Sequence, residues 1–175
     1  GPELSYAFNT GLPDDPQAFP HDWPQNGVFL DARPAADGAR PPMSSFDRIS
    51  SGDGATYTAM FLENLQAWHW TSTTEHEVGC VWHPKYRSDP LAQMNSESPD
   101  DLPSDPYRLA RPSSNHSGGT NMAFCDAHVK FISDEIDYLV YAALLNSNGR
   151  KVALPGKQEG VPDEYRDFVL SEEDF

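Results

Sequence analysis

The most regular alternation of apolar and polar positions lies in two short runs, 121–125 and 128–132, separated by Asp126-Ala127, and this spacing predicts a β-hairpin. Immediately downstream the period becomes helical. Ile136, Val140, Ala143 and Leu144 recur at i, i+4, i+7 and i+8, so a helix is expected after an N-cap at Ser133 or Asp134, ending near Asn148-Gly149 and packing on the sheet. Further strands are expected over 28–30, over 55–62 after the Ser51-Gly52-Asp53-Gly54 turn, and over 78–82. Residues 66–71 carry Trp68 and Trp70 two apart, the period that places both indoles on one face of a strand, read here as an inward face.

Between these elements the chain is irregular. Residues 4–24 read as an extended lead-in, because Pro13, Pro16, Pro20 and Pro24 stop any helix, and Tyr6, Phe8, Phe19 and Trp23 are expected to pin it to the core. Residues 34–42 form a loop, and 84–112 form a second, longer one whose length points to an exposed, variable surface. Beyond Pro155 the chain is acidic, with Tyr165, Phe168 and Val169 spaced for one docking turn. The fold class expected is α+β: an antiparallel sheet of about five to seven strands with one short C-terminal helix packed on it.

Composition narrows the function. Twelve Lys and Arg against 27 Asp and Glu give a net charge of −15, which repels nucleic acid and anionic membrane surfaces. Nine Phe, seven Tyr and four Trp are too many for a disordered chain. No stretch reaches the roughly 20 apolar residues that span a bilayer. Gly1-Pro2 reads as the remnant of tag removal, so residues 1–3 are taken as scar and linker and an upstream anchor is expected. Cys80 and Cys125 have no metal-type spacing, which leaves one disulfide or two thiols packed as small hydrophobes.

At the hairpin the sequence resembles a known group. Asn115-His116-Ser117-Gly118-Gly119 followed by Asp126 is similar to the His-x9-Asp-Gly signature of planctomycete-type pseudopilin-like proteins, with Ala127 standing where that signature has Gly. Residues 51–63, with Asp53-Gly54 and ending in Glu63, resemble a second block of that family, and Asn26-Gly27-Val28-Phe29 and Ser5-Tyr6 resemble its upstream blocks. The resemblance implies a type IV pilin-like or type II secretion pseudopilin-like head over 4–152, followed by an acidic tail at 153–175. It further implies an N-terminal helix, absent here, as the chain's only link to the membrane, and a periplasmic or extracellular location in the cell envelope. Other pilin or pseudopilin subunits, or envelope proteins, are the partners it implies. The exported setting favours a Cys80–Cys125 disulfide, and the Ala127 substitution costs about 1–2 kcal/mol if the turn needs positive φ there.

Candidate chemistry is sparse. His69, His76, His83, His116 and His128 lack zinc spacing, and Ser113, Ser114 and Ser117 near His116 lack a nucleophile elbow. His116 is expected to hydrogen-bond the Gly118-Gly119 loop or Asp126. No cofactor is required, although Ca²⁺ has two candidate carboxylate sets: Asp53 with Glu63, and Asp134, Glu135 and Asp137. Trp68 and Trp70 have an alternative reading as a platform for sugar or peptide. The function expected is structural and non-catalytic, a pilin-like subunit. The alternative is an extracellular module that binds a glycan or protein, and the third reading is an envelope hydrolase.

Overall fold

The structure, a computed structural model, describes residues 4–175 apart from 16, 19, 20, 35–37, 42 and 156–159, so Phe19 and Pro20 of the lead-in lie outside the described residues. The protein is α+β. Among the described residues five strands form one sheet: β1 (Tyr6–Gly11), β2 (Ala59–Glu63), β3 (Gly79–Val81), β4 (Gly119–Phe124) and β5 (Val129–Ser133), in the order β3-β1-β2-β4-β5. All neighbours are antiparallel except β1 and β3, a departure from the expected all-antiparallel sheet. The helices are α1 (Phe46–Ser51), α2 (Glu75–Val78), α3 (Tyr138–Leu145) and α4 (Asp163–Arg166).

Alternation along the strands gives the sheet two unlike faces. Ala7, Leu62, Met122 and Ile132 point to the face covered by α3 and are buried. The α3 sequence is apolar all round because it lies between this face and the C-terminal tail. Tyr141 donates its hydroxyl to Val81 O at 2.7 Å, and Trp82 donates Nε1–H to Asn146 Oδ1 at 3.0 Å while stacking on Tyr165 at 5.0 Å. Val161 and Tyr165 thereby bring the tail into the core.

Several expected elements take another form. The lead-in contains β1, a central strand, whose buried Asn9 donates to Ala59 O (2.6 Å) and Leu145 O (3.0 Å). Residues 28–30 are not a strand. The Val28 and Phe29 amides both donate to Asn9 O, which lays Phe29 on the sheet as a strap. The N-cap of α3 is Asp137, which accepts from Leu139 N at 2.7 Å, so Ser133, Asp134 and Ile136 precede the helix. Residues 66–71 are not a strand either. Trp68 and Trp70 are 50% and 66% exposed, because pairing of Trp68 with Leu4 and Glu77 is local and leaves the indoles outside the core.

The expected disulfide is also corrected. Both thiols are free. Cys80 lies on β3 and Cys125 follows β4, with β1 and β2 between, a separation of roughly 14 Å at about 4.8 Å per strand against a bridging limit of about 7 Å. Burial pushes the Cys80 thiol up to about 12 and the Cys125 thiol up to about 11.

Residues 84–112 are ordered by three short 3-10 turns, Pro84–Tyr86, Pro90–Ala92 and Pro106–Leu109, each with proline in its first turn. Buried Arg111 holds them. Its guanidinium donates to Leu91 O, Ser96 Oγ, Ser96 O and Gln66 Oε1 at 2.6–2.8 Å, all neutral acceptors.

Candidate functional site

The face of the sheet opposite α3 carries Tyr6, Phe29 and Glu63 of the sequence motifs, with His116 against Glu63. Two rows cross it. Tyr6, Glu63, Asn121 and Phe131 form one row, and Phe8, Phe61, Ala123 and Val129 form the next. Phe29 packs over Phe8 and Phe61 at ring separations of 4.8 and 5.3 Å. Past that strap the face is open: Tyr6, Val129 and Phe131 are 50%, 65% and 48% exposed. A monomer normally covers such an area or uses it for contact.

Glu63, within the first row, meets His116. His116 Nε2 lies 3.3 Å from Glu63 Oε1, and its ring stands edge-on to Phe131 at 6.3 Å. The other Glu63 oxygen accepts from Asn121 N at 2.7 Å, and the Asn121 amide donates to both. The expected partner of His116 is thus replaced. Asp126 sits at the far end of the β4–β5 hairpin, where it accepts from Thr56 Oγ1 at 3.0 Å and lies 2.6 Å from His128 Nδ1. These contacts hold the Asp126 carboxyl below its ordinary value.

The hairpin turn resolves the place of Ala127. Ala127 N donates to Phe124 O at 2.9 Å, and of the turn residues only Ala127 has positive φ (73°). This is a type I turn followed by a left-handed residue, not a type I′ turn with positive φ at both central positions. Gly118 has the positive φ of 80° that favours glycine, and a Cβ on Gly119 would meet Ile132 O at 2.1 Å, so Gly119 is sterically required.

The remaining candidates do not converge. Asp53 accepts from Gly149 N at 2.6 Å and so ties the loop after α1 to the end of α3, while Gly54 has φ of 97°. Asp53 and Glu63 sit at opposite ends of the 53–63 segment. Asp134 accepts from Asn95, Asp137 caps α3, and Glu135 is exposed. Among the described residues no group of three His, Cys, Asp or Glu side chains is arranged to hold a metal. Ser113 Oγ donates to Gln66 Oε1 and Ser114 Oγ to Gly119 O, both at 2.8 Å, while His116 turns to Glu63.

Trp68 borders a separate cavity of about 250 Å³ with Leu65, Leu102, Pro106 and Leu109. Leu102, Pro106 and Leu109 come from the 84–112 loop, so the long loop and Trp68 share this surface.

Fold and site together define an α+β domain with one covered and one open sheet face. The chain belongs to the family described as Protein of unknown function (DUF1559), whose profile matches residues 10–139. No curated protein and no solved structure matches the chain.

Proposed function

We propose that this chain is the non-catalytic head of a pilin- or pseudopilin-like subunit of the cell envelope. In this reading an apolar N-terminal helix carries the head on the periplasmic or extracellular side, and the head assembles with like subunits. The observation that carries the reading is the open sheet face, where Tyr6, Val129 and Phe131 present apolar surface beside the motif residues Glu63 and His116. An apolar helix is its physical complement, since burying such side chains contributes about 1.5–3 kcal/mol each. No helix among the described residues is long and apolar enough to cross a membrane.

Two measurements test the proposal. The coding sequence before Leu4 should encode about 20 consecutive apolar residues. The double substitution Val129→Asp and Phe131→Asp should leave the head folded but remove it from crosslinked envelope assemblies. A polar upstream segment, or assembly unaffected by the two charges, would sink the reading.

A second reading, a glycan- or protein-binding module, is favoured by the exposed Trp68 beside its 250 Å³ cavity. In that case Trp68→Ala abolishes binding to a glycan array or partner while the melting temperature stays unchanged.

A further inference from the structure

The two edges of the sheet are finished differently. At β3 the outer side is closed: Gly79–Val81 is buried, Val81 N donates to Ala110 O at 2.8 Å, and Val81 O accepts from the Tyr141 hydroxyl at 2.7 Å. At β5 the outer side is open. Phe124 N donates to His128 O at 2.9 Å and Asp134 N to Gly118 O at 3.1 Å, and with the unbroken β4–β5 register these bonds assign Lys130 and Ile132 to the ladder with β4. The backbone N–H and C=O groups of Val129 and Phe131 therefore point away from the sheet, and among the described residues nothing bonds them.

This edge also lacks the features that blunt an exposed strand. β5 has no proline and no bulge, and the ammonium of Lys130 is drawn aside to Phe175 O, 4.3 Å from the centre of the Phe175 ring. Val129 and Phe131, a β-branched and an aromatic residue of the kind that favours strand pairing, stand 65% and 48% exposed.

We infer that β5 pairs antiparallel with β5 of a second copy of this chain, about a two-fold axis at Phe131. The strand is its own complement in this register. Val129 of each copy faces Ser133 of the other and Phe131 faces Phe131, so each outward N–H meets an outward C=O. Ser133 O, which accepts from Ile136 N at 3.5 Å, keeps a second lone pair for the new bond. Charge and length select this register over its neighbours. A slide of two residues one way sets Lys130 against Lys130 and Asp126 against Asp134, whereas the register centred on Phe131 sets Lys130 against Ile132 and His128 against Asp134. A slide the other way sets Val129 against Glu135, beyond the end of the strand. The inference concerns the edge of the sheet, not its open face, and stands without the filament reading.

An edge pair alone buries less than the roughly 1,200 Å² of stable complexes, so a weak, concentration-dependent dimer is expected. The test is sedimentation equilibrium of the whole chain at up to about 1 mM, in about 0.3 M salt, where a Debye length under about 6 Å screens the repulsion between copies of net charge −15. Val129→Pro deletes one outward N–H and no bond within the chain, a change that edge strands accept. It should weaken dimerisation at least about tenfold, with the melting temperature as the control of folding. If that variant does not fold, mild oxidation decides in a Cys125→Ser background, where Cys80 is fully buried. Phe131→Cys should then form a disulfide between copies, since facing residues lie about 5.5 Å apart, within the bridging limit of about 7 Å. Ser133→Cys should not, because its counterpart lies roughly 14 Å away. A chain monomeric over this whole range, dimerisation untouched in a folded Val129→Pro variant, or Ser133→Cys linking as readily as Phe131→Cys overturns the inference and leaves the edge to a strand of another protein.

Discussion

Glu63 joins two motif segments by accepting from Asn121 N at 2.7 Å with one carboxylate oxygen while the other lies 3.3 Å from His116 Nε2. Its side chain is mostly buried and that of His116 is more than half exposed, so the two ends of the contact carry different weight. Glu63→Ala should destabilise the protein by about 1–3 kcal/mol, because it strands the Asn121 donors. His116→Ala should cost under about 1 kcal/mol, as expected of an exposed pair. Urea denaturation of both variants checks the order, and equal losses would contradict it.

Ala127 holds a left-handed conformation, φ 73°, at the one turn position that needs it. Ala127→Gly removes the Cβ clash and should stabilise the hairpin by about 1 kcal/mol. A rise in melting temperature with an unchanged denaturant slope is the expected result.

The guanidinium of Arg111 satisfies acceptors on both sides of the long loop without a carboxylate partner. Arg111→Met keeps the volume and removes the donors; Leu91 O keeps its bond from Ser96 Oγ, but the Ser96 carbonyl loses its guanidinium partner, at about 1–3 kcal/mol. Limited proteolysis should then cut within 87–105 well before the wild-type chain is cleaved.

Asp14 and Glu75 make stability depend on pH. Burial lifts the two carboxyls from ordinary values of 3.8 and 4.5 to about 6 and about 8, so the folded chain holds these protons more tightly than the unfolded chain. Their contribution is fully present below the ordinary carboxylate range and is lost as pH rises through about 6 and then about 8. Melting temperature should therefore fall between pH about 4.5 and pH about 8. Glu75→Gln should flatten the upper part of that slope, and an unaltered slope would contradict the assignment.

The hairpin was legible because its signal is local: two alternating runs and a two-residue gap specify neighbours in sequence that remain neighbours in space. The helix after it was legible for the same reason, although its start moved to Asp137, where the side chain reaches Leu139 N. The tail's Tyr165 was marked by its apolar neighbours, and its stacking on Trp82 depends on residues 83 positions apart. β1 is legible in the sequence only as an extended segment. Its inward side carries Asn9, a polar residue whose burial makes sense only once Ala59 and Leu145 supply acceptors.

The sequence by itself determined the α+β class, the hairpin with Ala127 in its turn, and the acidic, aromatic-rich character of the chain. Periodicity, turn chemistry and charge act over a few residues or over the whole composition, and both can be read without coordinates. Only the tertiary structure decided that Glu63 meets His116, that two strands part Cys80 from Cys125, that Trp68 and Trp70 face outward, and that Asp14 and Glu75 line one cleft. Each of these depends on strand order and register between segments far apart in the chain. Burial and loop closure set that register for the whole sheet at once, so no single segment encodes it.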